Sequence, residues 1–330
     1  MSDFMLNPRA FDEDVAQEPT RAGFGRGLKA AGEVNDAIVA LCADLTESTQ
    51  MHLFRDAFPK RFIEIGVAEQ NLVTVAAGLA RAGKIPFTSS YAAFSPGRNW
   101  EQIRTTAALN NQPVKIVGSH AGVSVGPDGA THQMLEDIAL MRVLPNMVVV
   151  APGDSIEAEK ATRQIAENGQ PSYLRLAREK TPIFSTQESP FEIGKAYVLR
   201  DGSDVTLLGT GTMTYQLLVA ARILSEHGIN AEVVHVPTIK PLDEETIIAS
   251  VRKTGRAVTA EEAQIKGGFG GAVAELLSEQ LPTPLKRIGM QDRFGESGAP
   301  NELLDHFGLT GAKMSETIKE FINQNAQYHQ

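Results

Sequence analysis

The stretch DAIVALCA, residues 36–43, decides the fold class of this chain. It is a short and almost continuously apolar run, and a second run of the same kind, NMVVVA, spans residues 146–151. Strands of parallel sheets have such sequences because both of their faces are covered, whereas strands with one face in water alternate apolar and polar residues. The two runs therefore predict buried strands in a sheet made of parallel strands.

Strand patterns alternate with helical patterns along the chain, which predicts an α/β fold with mostly parallel sheets. We predict strands at Asp36–Ala43, Ile85–Ser90, Val114–Ser119, Met147–Ala151, Tyr173–Ala177, Asp204–Leu208, Ala231–Val236, Ala257–Ala260 and Lys286–Gly289. We expect helices at Gln70–Arg81, Asn99–Leu109, Leu135–Val143, Ser155–Glu167, Met213–Glu226, Glu244–Lys253, Gly271–Glu279 and Ser315–Asn323.

A length of 330 residues suggests two domains. The pattern of strands and helices stops at TPIFSTQESP, residues 181–190, whose prolines and polar residues are typical of a linker. We therefore place the boundary near residue 188, with a first domain over residues 20–188 and a second over residues 189–330. The acidic, proline-containing residues 1–19 are expected to form a solvated arm.

Composition excludes several classes of protein. The chain is 42% hydrophobic and 22% charged, as in soluble globular proteins. Its net charge of −9 argues against a nucleic-acid or anionic-membrane partner. It has neither a signal-peptide pattern nor an apolar run long enough to span a bilayer, and its single cysteine, Cys42, fits a reducing compartment. We expect a soluble, cytoplasmic protein.

Three glycine-rich segments could suggest nucleotide binding: GFGRG at residues 23–27, GTGTM at 209–213 and GGFGG at 267–271. None has the strand context and full spacing of the dinucleotide fingerprint, and the chain has no GxxxxGK[ST] phosphate loop. We interpret all three segments as tight turns between a strand and a helix.

Two segments between residues 62 and 94 contain side chains that could take part in catalysis or ligand binding. Glu69, in FIEIGVAEQN, falls where a strand ends and a helix begins, although an acidic residue is also favoured there by the helix dipole alone. Phe87, Tyr91 and Phe94 cluster in PFTSSYAAF, in a chain with only 6% aromatic residues. Ordinary core packing is the alternative explanation for these aromatics.

The segment SHAGVSVGPDGATHQ, residues 119–133, follows a predicted strand and is too long for a simple connection. It holds His120, Asp128 and His132 among glycines that let the backbone approach a ligand closely. Metal binding by the two histidines has no support from a cysteine, a third histidine or helical spacing. Proton transfer is the better interpretation, because imidazole titrates near neutral pH.

These residues, in this order, resemble the transketolase family of thiamine diphosphate enzymes over about residues 20–320. The resemblance implies the pyrimidine-binding α/β domain of that family, with a parallel sheet, followed by its C-terminal α/β domain. Glu69 would then hydrogen-bond to N1′ of the cofactor's aminopyrimidine ring and favour its imino tautomer. Tyr91 and Phe94 match the aromatics that pack on this ring, and Phe87 is a weaker match.

The resemblance also implies a sugar phosphate site. His120 would bind the phosphate end of the substrate, Asp128 a sugar hydroxyl, and His132 would assist at the reacting carbonyl. The family's remaining phosphate-binding positions correspond to Arg21 in PTRAG, Ser48 in ADLTES and Arg178 in LAREK. The catalytic residues implied are Glu69, His120 and His132.

A motif of the family is missing from this sequence. Single-chain members hold the diphosphate and Mg²⁺ with a separate N-terminal domain that carries a GDG motif, which this chain lacks. The resemblance is therefore to one half of a split transketolase. It implies a partner, the N-terminal subunit, with the cofactor at the interface, Mg²⁺ held mainly by the partner and no metal site in this chain. A heterotetramer is expected.

Three alternatives stay open. The AEQ of Glu69 is shared with 1-deoxyxylulose-5-phosphate synthase, which has an aspartate in place of His120 and one chain for all domains. Beta subunits of 2-oxoacid dehydrogenases lack the DGxTH present at Asp128–His132. A non-catalytic scaffold is the third alternative. His235, Glu261 and Asp292 of the second domain are interpreted as ordinary strand-end and loop residues.

Overall fold

The computed structural model describes residues 4–326. Its strands are β1 (Gln17–Glu18), β2 (Ile38–Cys42), β3 (Phe62–Glu64), β4 (Ile85–Tyr91), β5 (Lys115–Ser119), β6 (Val148–Val150), β7 (Ser172–Arg175), β8 (Thr181–Pro182), β9 (Tyr197–Arg200), β10 (Val205–Gly209), β11 (Ala231–His235), β12 (Thr238–Lys240), β13 (Ala257–Gln264) and β14 (Leu285–Met290). Its α-helices are α1 (Thr20–Val34), α2 (His52–Ala57), α3 (Glu69–Arg81), α4 (Trp100–Gln102), α5 (Asp137–Arg142), α6 (Ser155–Glu167), α7 (Met213–Glu226), α8 (Glu244–Thr254), α9 (Phe269–Gln280), α10 (Pro300–His306) and α11 (Gly311–Ala326).

Two parallel sheets form the centre of the molecule. The first has seven strands in the order β12-β6-β7-β5-β4-β2-β3, and the second has five in the order β14-β13-β10-β11-β9. Within these two sheets, as described over residues 4–326, only the edge strands β12 and β9 run antiparallel to their neighbours, and a separate pair, β1 and β8, is also antiparallel. Every residue of β2 is buried, as its apolar sequence predicts. The expected α/β fold with mostly parallel sheets is confirmed.

The second half of the chain completes the first sheet. Strand β12 pairs with β6, with Thr238 opposite Val150, at the edge of the seven-stranded sheet. Just before it, the buried His235 contacts Glu157 of α6 (Nε2–Oε2 2.7 Å). The predicted boundary near residue 188 falls between β8 and β9, but the two halves are bound together by a shared strand and a buried polar contact.

The prediction of a solvated arm over residues 1–19 is wrong for the part that the structure describes; its first three residues lie outside that part. Phe4 and Val15 are at most 9% exposed. The Asn7 side chain donates to the carbonyl of Ile183 (2.8 Å), and β1 pairs with β8. The apolar residues spaced among the charges anchor the segment, because their burial removes apolar surface from water.

The segment GFGRG is not a turn, because it lies inside helix α1. A Cβ on Gly23 would be 1.8 Å from the Ser155 carbonyl oxygen, and one on Gly27 would be 2.7 Å from that of Glu159. The glycines therefore let α1 lie directly against α6, which a glycine-rich sequence does not reveal by itself. The other two segments do connect β10 to α7 and β13 to α9, as predicted.

The predicted helix over residues 99–109 is interrupted. A single α-turn, α4, continues as a π-helix over Ile103–Ala108. Helices α1, α2 and α10 were not anticipated from the apolar pattern. Within residues 4–326, no helix has both the length and the apolar character needed to cross a bilayer.

The contact between α1 and α6 yields a stability prediction. Gly23→Ala should destabilise the chain by about 1–3 kcal/mol, because the new methyl group overlaps backbone that cannot move freely. The matched control is Gly78→Ala in α3, where a Cβ meets nothing within 4 Å. That change should stabilise by about 0.5–1 kcal/mol through helix propensity. Urea unfolding of both variants measures the effects, and equal effects would contradict the packing argument.

Candidate active site

The site lies at the carboxyl edge of the first sheet. Ser48 follows β2, Tyr91 ends β4, His120 follows β5 and Arg178 follows β7. Since parallel strands present their carboxyl ends at the same edge, residues far apart in sequence meet there. The structure brings together nine of the ten predicted site residues: Arg21, Ser48, Glu69, Tyr91, Phe94, His120, Asp128, His132 and Arg178.

The exception is Phe87. It is fully buried in the core and packs near Phe24, with 6.5 Å between ring centroids. It lies four residues before Tyr91 on the same strand, inside the sheet layer and not at its carboxyl edge. A ring in this position has no surface left for a cofactor, so Phe87 is part of the core.

His120 is the central residue of the site. Its backbone has φ +59°, a left-handed conformation that is rare for residues other than glycine and is found preferentially at functional sites. Its ring stacks on Tyr91 with 3.9 Å between centroids. Its Nε2 lies 3.3 Å from Ser48 Oγ and its Nδ1 2.8 Å from Ser119 Oγ. The imidazole is thus held from three sides.

The environment keeps His120 neutral. Burial, followed by the charges of Arg21, Arg178 and His132, lowers the pKa of His120 from 6.5 to about 3. At physiological pH this imidazole therefore has one N–H donor and one acceptor nitrogen. It can bind and orient a ligand, but a neutral histidine with this pKa does not serve as a general acid near pH 7.

Two arginines flank His120. Arg21 Nη1 donates to the carbonyl of Ser48 (2.5 Å), and Arg178 Nη1 donates to that of Val125 (2.6 Å). Burial and the charge of Arg178 lower the pKa of Arg21. Within residues 4–326, Arg21 Nε is among the buried polar atoms that have no hydrogen-bond partner. Two cations close together, one with an unused donor, are suited to binding an anion.

The loop side chains complete this end of the site. The Asp128 carboxylate is 3.6 Å from Arg178, and His132 stands edge-on to Phe94 with 5.4 Å between ring centroids. His132 Nδ1 lies 2.9 Å from the hydroxyl of Thr131. His132 therefore lies beside the Phe94 ring and near that of Tyr91, with 6.3 Å between the His132 and Tyr91 centroids.

Glu69 lies at the other end and has a partner that the sequence did not suggest. It is the first residue of α3, and its side chain is only 5% exposed. Arg98 Nη1 lies 3.2 and 3.3 Å from the two carboxylate oxygens of Glu69. The same guanidinium lies over the Phe94 ring, 4.0 Å from its centroid. Arg98 follows a predicted aromatic residue by four positions, but no motif marked it.

Comparison with known proteins identifies the family of both domains. Residues 17–183 match the family profile of the transketolase pyrimidine binding domain, and residues 194–314 match that of the transketolase C-terminal domain. The chain therefore belongs to the transketolase family, a family of thiamine diphosphate enzymes. The two matched domains follow one another along the chain, as its two main sheets do.

Several relatives are of similar length to this chain. A protein of Methanocaldococcus jannaschii, provisionally named a transketolase C-terminal section, is 48% identical over 91% of this chain and 95% of its own length. A 6-deoxy-6-sulfo-D-fructose transketolase subunit of Clostridium sp. is 44% identical over 87% and 89%. A solved structure titled as a split gene transketolase, inactive beta4 tetramer, has a TM-score of 0.87 at 44% identity, covering 92% and 98%.

The neutral state of His120 can be measured. The imidazole NMR signal of His120 can be identified because it is absent from the spectrum of His120→Gln. In the unmodified chain this signal should not shift between pH 5 and 8. Between pH 6.5 and about 3, His120 takes up a proton in the unfolded chain but not in the folded chain. The free energy of unfolding should therefore decrease as the pH falls through this range. His120→Gln should reduce that pH dependence. A titration midpoint near 6.5 in the folded chain would contradict the burial argument.

Proposed function

We propose that this chain is one subunit of a split transketolase. Together with an N-terminal subunit, it would transfer a two-carbon ketol unit from a ketose phosphate to an aldose phosphate with thiamine diphosphate as cofactor. The proposal depends on one observation, the presence of three features at one sheet edge. These are the Glu69 carboxylate, the stacked rings of Tyr91 and Phe94, and His120 with its two neighbouring arginines.

The residues present fit an aminopyrimidine ring. Arg98 already places a flat, nitrogen-bearing group over Phe94 and within hydrogen-bond distance of the Glu69 carboxylate. An aminopyrimidine is also flat and carries nitrogen atoms that can share a hydrogen with a carboxylate. Glu69 and Phe94 would therefore hold the ring where the guanidinium of Arg98 now lies. When bound, thiamine diphosphate supplies a nucleophilic carbon and an electron sink for C–C bond cleavage.

Each residue of this chain has a role in the proposal. Glu69 shares a proton with N1′ of the cofactor ring from a buried position, where a carboxylate interacts strongly with a nearby nitrogen. His132 moves a proton at the reacting carbonyl oxygen, and Asp128 binds a sugar hydroxyl. The anionic end of the substrate is bound by Arg21, Ser48, Arg178 and the neutral His120.

A partner chain is part of the proposal. Within residues 4–326, no group of three or more His, Cys, Asp or Glu side chains could hold a metal ion. The proposal assigns Mg²⁺ and the diphosphate to an N-terminal subunit, with two copies of each chain in a heterotetramer. Support comes from the similar solved structure of a split gene transketolase, which is described as an inactive beta4 tetramer.

The substrate class follows from the cationic end of the site. Two guanidiniums bind a terminal phosphate or sulfonate with similar geometry, and one relative of 44% identity is named for a sulfonated ketose. Assays of the two-chain complex with fructose 6-phosphate and with 6-deoxy-6-sulfofructose as donors would distinguish the two. Release of CO2 and formation of 1-deoxyxylulose 5-phosphate in a separate assay with pyruvate and glyceraldehyde 3-phosphate would instead favour the synthase alternative.

The central catalytic prediction concerns Glu69. Glu69→Ala should lower ketol transfer by the two-chain complex about 100-fold or more, because the proton-sharing partner of the cofactor ring is lost. Glu101→Ala, an exposed carboxylate of α4, is the matched control and should act at close to the normal rate. Normal turnover by the Glu69 variant would contradict the assignment. A partner fully active by itself would favour the scaffold alternative.

A second prediction concerns Arg98, which must leave Phe94 and Glu69 before a cofactor ring can bind. Arg98→Ala should therefore tighten thiamine diphosphate binding about fivefold, since an exposed cation–π contact is worth about 0.5–1 kcal/mol. Isothermal titration calorimetry of the two-chain complex with thiamine diphosphate measures the affinity. Arg104→Ala, a nearby exposed arginine, should have no effect. Weaker binding by the Arg98 variant would show that Arg98 assists the cofactor.

A further inference from the structure

The substrate loop, defined as residues 119–133, is held by a side chain from the second half of the chain. Glu262 of β13 is 3% exposed, and its Oε1 accepts a hydrogen bond from the backbone N–H of Ser124 at 2.6 Å. The two residues are 138 positions apart in sequence. The second sheet therefore directly contacts the loop that carries His120, Asp128 and His132.

The loop conformation is matched to this carboxylate. Gly122 has φ +90°, and a Cβ built on it would be 2.3 Å from Glu262 Oε1. Only a residue without a side chain leaves room for the carboxylate to reach the amide of Ser124. The other oxygen of Glu262 lies 3.4 Å from the hydroxyl of Thr212. The Glu262 carboxylate thus occupies the space that a side chain at position 122 would need.

Buried partners fix the glutamate in turn. Arg175 Nη2 donates to the backbone carbonyl of Glu262 (2.8 Å), while its Nε donates to Asp137 (2.8 Å). Asp137 also accepts from the hydroxyl of Tyr173 (2.7 Å). Such a chain of buried, paired polar groups is rigid, since each member would be left without a partner if it moved.

A second contact lies near the far end of the substrate loop. The side-chain amide of Gln133 donates to the carbonyl of Glu296 (2.9 Å), in the segment before α10, and to that of Val123 (3.0 Å) inside the loop. The second half of the chain therefore holds the substrate loop at both Ser124 and Gln133, which bracket Asp128 and His132.

We propose that Glu262 is a positioning residue, which holds the substrate loop in the conformation that binds the sugar substrate. The second domain would then take part in substrate binding through this side chain. The anchoring role stands on the contacts alone, whereas its effect on the substrate rests on the proposed function. The two parts can be tested separately.

The neighbouring Glu261 provides a matched control. It is also fully buried on β13, but its carboxylate accepts from the backbone N–H groups of Phe269 and Gly270, both at 2.7 Å, at the start of α9. Changes at Glu261 therefore remove a buried carboxylate from the same strand without touching the substrate loop.

The first test is amide hydrogen exchange in the full chain. Glu262→Ala should speed exchange in peptides covering residues 119–133 about 10-fold, because local opening becomes easier. Glu262→Gln keeps an acceptor oxygen and should restore slow exchange, while Glu261→Gln should affect only the start of α9. Should Glu262→Ala not fold, Gly122→Ala displaces the same contact from the loop side. Normal protection of the loop in folded Glu262→Ala or Gly122→Ala would overturn the proposal.

The second test uses the two-chain complex. Glu262→Ala should raise KM for the ketose substrate about 10-fold with thiamine diphosphate affinity unchanged, and Glu262→Gln should restore KM. Lower stability with an unchanged KM would show a structural role only and would overturn the positioning role. If the unmodified complex has no ketol transfer, the proposed function fails, whereas the exchange result still decides the anchoring.

Discussion

The parallel alignment of β2, β4, β5 and β7 is the constraint on which the site depends. It brings the carboxyl ends of these strands to one edge of the sheet, where Ser48, Tyr91 and His120 are in direct contact. The alignment requires both faces of the sheet to be covered, which α1 and α6 achieve on one face through the glycines between them. Assembly of the site therefore depends on the packing of these helices against the sheet.

The charges of the site oppose those of the whole molecule. The chain has a net charge of −9, yet Arg21 and Arg178 lie together at the sheet edge. Burial and these arginines keep His120 neutral, so the positive charge of the site comes from groups that do not titrate near pH 7. An anion is thereby attracted by a local pocket, and its binding does not rely on protonation of the histidine.

The sequence predicted the elements whose signals are local. Buried strands such as β2 are continuous apolar runs, and Glu69 and His120 stand in segments that follow strands closely. The sequence does not predict helix α1, because its glycines are unfavourable for a helix and are explained only by the close contact with α6. It does not predict β12, because a strand of three residues is too short to show an apolar pattern. The pairing of Glu69 with Arg98 joins residues 29 positions apart, and that of Glu262 with Ser124 joins residues 138 apart. Such contacts follow from the fold and leave no pattern in a single sequence.

The most direct measurement is a structure of the two-chain complex with thiamine diphosphate and Mg²⁺, determined by crystallography or electron cryomicroscopy. We expect the aminopyrimidine ring over Phe94, N1′ within hydrogen-bond distance of Glu69, Arg98 moved aside, and the diphosphate bound by the partner subunit. A cofactor ring bound elsewhere, or Arg98 still in contact with Phe94 in the loaded complex, would contradict the account.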